Sequence, residues 1–168
     1  MTGARDATST LVVGLGSRDR GDDAVGPEVA ARVRELLGSN GGPRVVEHED
    51  PAALLEAWAG ADLAVVVDAV RTGGEPGAVV VLEAGQGTEP LTQEPWAGPA
   101  RGGTHAFGLA AAIELARALD RLPRRLVVVG VEATCWETGT GLSEPVAAAC
   151  PRAVAAVLEA VPRAGGDR

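Results

Sequence analysis

Two short runs of this sequence are apolar along almost their whole length, and they constrain the fold more than any other feature. They are DLAVVVDAV at 62–70 and RRLVVVGVE at 124–132. A strand built from either run would be apolar on both of its faces. Such strands are typical of the centre of a parallel sheet whose two faces are covered by helices. The sequence therefore predicts an α/β fold.

Amphipathic stretches alternate with apolar runs along the rest of the chain. Further strands are predicted at 9–15, 43–48 and 77–84, and helices at 25–37, 52–58, 105–119 and 143–160. Pro27 near the start of the first helix and Gly38 just after it support the bounds of that helix. The resulting order, βαβαββαβα, predicts a mostly parallel sheet with helices on both faces.

The length and apolar content of the chain suit one domain. It has 168 residues, of which 46% are hydrophobic, and this is enough to build a single buried core. We predict one domain over 9–161, with flexible tails at 1–8 and 162–168. A stretch rich in Gly, Pro, Thr and Glu at 85–103 is predicted to be one long loop, and loops of that length are often functional.

The charge balance and the cysteine content exclude several classes of protein. A net charge of −8 disfavours binding to nucleic acid or to an anionic membrane surface. Two cysteines are too few for a disulfide scaffold or a paired zinc motif. The N-terminal residues lack the apolar segment of a signal peptide, and no apolar run approaches the ~20 residues that span a bilayer. We therefore predict a cytoplasmic protein that binds neither nucleic acid nor membrane.

Three polar residues are expected to meet where the parallel strands end. Asp23 follows the first strand, Asp68 closes the VVVD run of a central strand, and His105 opens the third predicted helix. Ligands of open α/β sheets bind outside this edge. A helix N-terminus disfavours imidazolium, so His105 should stay neutral, as a metal ligand must be. Two carboxylates and an imidazole suit a divalent ion such as nickel or zinc, which predicts a metal-handling site.

The same acids also have structural interpretations. Asp22 and Asp23 precede the first helix, where a carboxylate can cap backbone N–H groups and favour the helix dipole. We interpret Asp22 as such a cap and assign Asp23 to the site because of its neighbours. The alternative for Asp68 is to accept N–H groups of the turn at 69–72, since a carboxylate there needs partners. The other histidine, His48, ends an edge-type strand without a comparable context.

Two other kinds of site fit the residues less well. The turn GLGSRDRGDD at 14–23 lacks the third glycine of a dinucleotide-binding motif, and its acids would repel a pyrophosphate. Cys135 and Ser143 follow the fifth strand as candidate nucleophiles, but there is no GxSxG elbow and no histidine near Cys135 in sequence. Cys150 lies among small residues of a helix and is expected to be a packed core thiol.

Four blocks of the sequence, in order, resemble the hydrogenase maturation endopeptidases. LVVGLGSRDRGDDAVGPEVAARV is similar to the family's opening strand and its G-N-x(4)-D-D/E-x-x-G turn. VVVDAV resembles the second acidic strand end of the family. GGTHAFGLAAAIELARAL resembles its S-x-H-x-x-x-L helix start, and GVEATCWETGTGLSEPV its G-I/V-E-P followed by G-L-S. Together the blocks cover most of residues 10–160.

The resemblance implies a three-layer α/β/α sandwich of the phosphorylase/hydrolase-like kind, with a five-stranded, mostly parallel sheet that carries one antiparallel strand. It implies an endopeptidase that removes the C-terminal extension of the large-subunit precursor of a nickel–iron hydrogenase after nickel insertion. Two acids and a histidine contact that nickel in the family, and they correspond here to Asp23, Asp68 and His105, as metal ligands and catalytic residues. The nickel would arrive with the substrate, and no nucleotide cofactor is implied.

The chain departs from the family pattern at three positions, which bears on substrate preference more than on the reaction. Ser17 replaces Asn, Thr104 replaces Ser, and Ala133 replaces the Pro after Glu132. Glu132 itself either belongs to the substrate groove or merely ends a strand. The sequence also leaves open whether nickel or a carboxylate activates the hydrolytic water.

Two alternative functions follow from the same residues. One is a maturation chaperone that senses the nickel-loaded precursor without cutting it. The other is a nucleoside- or phosphate-handling enzyme on a similar sandwich, which the acids of the first turn disfavour.

Overall fold

A computed structural model describes residues 9–38, 42–91 and 108–162. Its strands are β1 (Thr10–Leu15), β2 (Arg44–His48), β3 (Leu63–Val70), β4 (Val79–Glu83) and β5 (Arg125–Glu132). Its α-helices are α1 (Val25–Leu37), α2 (Leu54–Ala57), α3 (Leu109–Ala118) and α4 (Glu144–Ala160). Two 3-10 turns, Gly21–Ala24 and Pro51–Ala53, precede α1 and α2.

The five strands form one sheet in the order β2-β1-β3-β5-β4. All neighbouring pairs are parallel except β4 and β5, so β4 is an antiparallel strand at the edge. The central strands β3 and β5 pair along their full length, from Leu63 opposite Arg125 to Val70 opposite Glu132. This confirms the predicted mostly parallel sheet with one antiparallel strand.

Helices cover both faces of the sheet. On one face α1 and α4 pack over alternate residues of the strands, with Val65 and Val129 in that core. On the other face α2 and α3 pack over the intervening residues, with Val66, Trp58 and Ile113 in the second core. Because helices cover both faces, neither set of alternating side chains on a central strand faces solvent. This explains the unbroken apolar runs. The three-layer sandwich is confirmed.

Most of the predicted boundaries agree with the structure, and two helices differ. Each strand lies within two residues of its predicted range, and α1 spans the predicted 25–37. The α-helix predicted at 52–58 is wrong in part, because Asp50 caps a 3-10 turn by accepting the N–H of Ala52 and only four α-helical residues follow. The helix predicted from 105 begins instead at Leu109, since Gly108 has extended backbone, with ψ of 172°.

Several predictions concern parts of the chain that the structure does not describe. The predicted tails at 1–8 and 162–168, Pro162 apart, and residues 92–103 of the predicted loop lie outside the described residues. The single domain over 9–161 stays a prediction. Within the described ranges, no helix is long and apolar enough to cross a membrane.

The order of the strands creates a crevice between β1 and β3. From β1 the chain crosses to β2 on one side, then passes back over β1 to β3 on the other. At such a switch point the connections leave in opposite directions, and ligands of open α/β sheets bind outside the carboxyl ends of these strands. Asp23 follows β1 and Asp68 lies near the end of β3, so both acids are placed at this crevice.

Candidate functional site

The first turn holds Asp23 against the end of β1. The backbone N–H of Ser17 donates to Oδ2 of Asp23 at 2.9 Å, and the N–H of Asp23 donates to the carbonyl of Arg20 at 3.1 Å. Gly16 has a φ of +133°, and a Cβ there would lie only 2.0 Å from the carbonyl oxygen of Asp23. Because glycine alone tolerates both the angle and the contact, Gly16 is required for this position of Asp23.

A second glycine brings the start of α1 close to β3. A Cβ on Gly26 would lie 2.1 Å from the carbonyl oxygen of Leu15 and 2.6 Å from that of Val67. The first turn of α1 therefore rests directly on the ends of β1 and β3, beside the residue that precedes Asp68. This close approach, which no other residue type permits, brings the two acids together across the crevice.

Asp68 is the one residue of β3 that is partly exposed, although its carboxyl group lies in a buried environment. The pairing of β1 with β3 ends at Gly14 and Val67, so Asp68 is the first residue of β3 beyond that pairing. Burial, and after it the negative charge of Asp23, raise the pKa of the Asp68 carboxyl well above its usual value, against a smaller lowering by the N–H of Ala69. The alternative in which Asp68 accepts N–H groups of the turn at 69–72 holds for Ala69 but not for Thr72, whose N–H donates to Glu132.

The structure thus brings together two of the three predicted site residues. Asp23 and Asp68 are close enough for the charge of one to raise the pKa of the other. His105 lies outside the described residues, so its place in the site stays a prediction. The described ranges contain no group of three or more His, Cys, Asp or Glu residues that could hold a metal ion. A third ligand would have to come from elsewhere in the chain or from a bound partner.

Asp22 does not cap the helix that follows it. Neither the 3-10 turn nor α1 has a side-chain cap, so the capping interpretation is wrong. The side chain of Asp22 is fully buried and accepts N–H bonds from Thr134 and Cys135, both at 2.9 Å, and from Ser143 at 2.6 Å. Burial by itself raises the pKa of Asp22, but the bonds from Thr134, Ser143 and Cys135 outweigh it and hold the pKa below its usual value.

Glu132 is likewise occupied by backbone groups. Only 3% exposed, it accepts the N–H and the hydroxyl of Thr72 at 3.0 and 2.7 Å, and the N–H of Gly73 at 3.1 Å. It therefore holds the turn that follows β3, which favours a structural role over direct contact with substrate. The sequence signal for both buried acids was weak, because their partners lie between 59 and 121 residues away.

The candidate nucleophiles have other partners. The hydroxyl of Ser143 donates to Oδ2 of Asp22 at 2.9 Å, and Sγ of Cys135 lies 3.5 Å from Oγ1 of Thr140. Neither has a hydrogen bond to a histidine within the described ranges. Cys150 is fully buried in the core under α1 and α4, as predicted, and burial raises the pKa of its thiol.

A separate cleft of about 490 Å³ lies at the opposite edge of the sheet. It is lined by residues that precede β3 and β5, among them Trp58, Asp62, Arg121 and Arg124. Because parallel strands all begin at that edge, the cleft is separated from Asp23 and Asp68 by the length of the sheet. It contributes nothing to the acid pair.

Several solved structures with the same fold are those of hydrogenase maturation proteases. The hydrogenase maturating endopeptidase HybD from E. coli is 25% identical and has a TM-score of 0.68, over 90% of this chain and 91% of that one. A hydrogenase 2 maturation peptidase from a Thaumarchaeota archaeon is 28% identical, with a TM-score of 0.56, over 90% of this chain and 97% of that one. The NiFe hydrogenase maturation protease HybD from Thermococcus kodakarensis, 24% identical, shares the fold with a TM-score of 0.66, over 90% and 97% of the two chains.

A family model matches more than half of the chain. The model describes the hydrogenase maturation protease HycI and covers residues 49–160, which include Asp68, Glu132 and the segment bound by Asp22. A search of curated proteins finds no significant match. The two acids at the switch point, the matching sandwich and the matching family model lead to one assignment: this chain belongs to the hydrogenase maturation protease family.

Proposed function

We propose that this protein is an endopeptidase that removes the C-terminal extension of the large-subunit precursor of a nickel–iron hydrogenase once nickel has been inserted. The observation that carries the proposal is the position of Asp23 beside Asp68 at the carboxyl edge of the sheet, where burial and then the charge of Asp23 raise the pKa of Asp68. Membership in a protease family supports the reaction, and the relatives' role in hydrogenase maturation supports the substrate.

Two adjacent carboxylates repel each other, and a divalent cation between them would relieve that repulsion. Carboxylates and an imidazole form a suitable ligand set for nickel, and His105 would supply the imidazole. Three protein ligands leave coordination positions open for groups of the precursor that already carry the ion. The nickel is then part of the substrate, and the protein binds the precursor tightly only when the ion is present.

The chain's own residues would position the peptide bond and handle the proton. Without the ion, burial and the charge of Asp23 raise the pKa of the Asp68 carboxyl, so this group could hold a proton that it would release when the ion binds. Asp23, held by the N–H of Ser17, would keep a fixed orientation toward the ion. Rigid support of this kind is what a ligand site on an α/β edge requires.

The test uses the nickel-loaded precursor and the same precursor prepared without nickel, followed by intact mass spectrometry. The wild-type protein should remove the extension from the loaded form alone. Asp23→Asn and His105→Ala should leave the fold intact and abolish removal. Asp19→Asn, on the same turn, and His48→Ala, the other histidine, are matched controls that should process normally.

Unimpaired processing by Asp23→Asn or His105→Ala would contradict the proposed site. A wild-type protein that binds the loaded precursor but leaves its extension in place would replace the endopeptidase by a nickel-sensing chaperone. Equal processing of the loaded and unloaded precursors would remove nickel from the recognition step.

A further inference from the structure

Two arginines that lie three positions from Asp23 and Asp68 in sequence both contact one tryptophan, and none of the three residues takes part in the chemistry described above. Arg20 precedes Asp23 by three residues, Arg71 follows Asp68 by three residues, and Trp136 follows Cys135, whose N–H donates to Asp22. The guanidinium carbon of Arg71 lies 5.2 Å from the centre of the Trp136 ring, and Nε of Arg20 donates to the carbonyl of Trp136 at 3.4 Å. We call these three residues the arginine–tryptophan cluster.

The charges of this cluster are not neutralised within the described ranges. Neither Arg20 nor Arg71 forms an ion pair there, although the chain has a net charge of −8. Among the other described arginines, Arg44, Arg121 and Arg152 also form no ion pair, and six pair with carboxylates: Arg18, Arg32, Arg34, Arg117, Arg124 and Arg125. The buried carboxylates nearest in the fold are occupied, since Asp22 accepts N–H groups of the 134–143 segment and Glu132 those of the turn at 72–73.

The ring of Trp136 stacks on the guanidinium of Arg71 but does not neutralise its charge. A guanidinium stacked on an aromatic ring keeps its N–H groups free for a bidentate contact with a carboxylate. Arg71 is exposed, and the ring beneath it is half-buried against the core under α1 and α4. The Nε1–H of Trp136 is buried without an acceptor among the described residues, which is unfavourable for stability.

We propose that Arg20, Arg71 and Trp136 form a subsite that binds a carboxylate of the peptide substrate beside Asp23 and Asp68. This inference rests on the proposed function, because the substrate is taken to be the precursor and its extension. Arginine and carboxylate match in geometry as well as in charge, since the planar guanidinium offers two parallel N–H groups. The carboxylate belongs to an acidic side chain of the extension or to its C-terminus, and the test distinguishes these two sources.

The experiment measures steady-state cleavage of three nickel-loaded precursors by the wild-type protein and by Arg71→Gln. The first precursor has its native extension. In the second, every Asp and Glu of the extension is replaced by Asn or Gln, and the third ends in an amide. With the native extension, Arg71→Gln should raise KM about tenfold and change kcat less than twofold, as expected for loss of a charge-assisted contact to substrate. Arg20→Gln should shift KM in the same direction.

The source of the carboxylate follows from the precursor on which the difference between wild-type protein and Arg71→Gln disappears. Arg71→Lys should restore part of the lost affinity, because a lysine keeps the charge without the planar fork. Arg121→Gln makes the same substitution at the opposite edge of the sheet and should leave KM unchanged. Thermal unfolding of all variants checks that exposed Arg71 does not act through folding.

The inference would be overturned by an unchanged KM, by a loss confined to kcat, or by an equal penalty on all three precursors. If the wild-type protein cuts none of them, the proposed function fails. The subsite is then tested by binding, through the dissociation constant of each variant for the native nickel-loaded precursor. A tenfold weaker complex with Arg71→Gln, and a normal one with Arg121→Gln, would support the subsite without cleavage. Equal dissociation constants would refute it.

Discussion

Asp22 accepts hydrogen bonds from both the backbone N–H and the hydroxyl of Ser143, at 2.6 and 2.9 Å, although the two residues are 121 positions apart. The contact joins the turn before α1 to the first residue before α4. Asp23 is the next residue of that turn, so its orientation depends on this connection. Asp22 therefore positions Asp23, which is part of the proposed site.

Replacing Asp22 with Asn should destabilise the protein. The amide keeps one acceptor oxygen but turns an NH₂ group toward the buried donors of Thr134, Cys135 and Ser143. We expect a loss of about 2–4 kcal/mol in the free energy of unfolding, measured by urea denaturation near neutral pH. Asp19→Asn, an exposed change on the same turn, should cost less than about 0.5 kcal/mol. Equal stability of the two variants would show that the buried contacts contribute little.

The Asp22 carboxylate should also make stability depend on pH. Its pKa in the folded protein lies below the usual value of 3.8, so the stability that it contributes is present at higher pH and is lost as the pH falls through the folded pKa. We expect the difference in unfolding free energy between Asp68→Asn and the double variant Asp22→Asn/Asp68→Asn to be constant above about pH 5 and to shrink below about pH 4.

The Asp68→Asn background serves as the control in that series. The raised pKa of Asp68 has the opposite effect, because protonation of this carboxyl favours the folded state. Removing it isolates the titration of Asp22. A difference between the two variants that stays constant down to about pH 3 would contradict the assigned direction of the Asp22 shift.

Asp68→Asn should stabilise the protein and lower its activity. The substitution removes a carboxyl whose charged form burial and Asp23 both disfavour, while the amide oxygen can still accept the N–H of Ala69. We expect the free energy of unfolding to rise by about 1 kcal/mol, and cleavage of the nickel-loaded precursor to fall at least ~100-fold. Calorimetry and the mass-spectrometric assay measure the two effects. Asp120→Asn, an exposed change beyond α3, should alter neither, and a destabilised Asp68→Asn variant would argue against repulsion between the acids.

Glu132→Gln should act on the turn after β3 rather than on the chemistry. The amide can accept hydrogen bonds from only some of the donors of Thr72 and Gly73. We expect the free energy of unfolding to fall by about 1–3 kcal/mol. A double-mutant cycle with Thr72→Val should show coupling, because the two side chains share a 2.7 Å hydrogen bond. Glu75→Gln, exposed in the same connection, is the matched control. A large fall in kcat without loss of stability would instead place Glu132 in the substrate groove.

Much of the fold follows from short-range patterns in the chain. The VVV and LVVVGV runs are apolar on both faces and rich in β-branched residues, which favours strands covered on both sides. The convergence of Asp23 and Asp68 was also predictable, because the carboxyl ends of parallel strands lie at one edge. The start of α3 was not, since apolar periodicity continues through Gly108 and does not reveal its extended backbone.

The sequence by itself determined the layers of the sandwich, the edge at which the acids lie and the family blocks, because each depends on residues close together in the chain. Only the tertiary structure decided what those residues do there. It showed that Asp22 binds the start of α4, that Glu132 holds the turn after β3, and that Arg71 stacks on Trp136. Each of these contacts joins residues about 60 or more positions apart. The folding of the whole sheet, rather than local propensity, brings such partners within hydrogen-bonding distance.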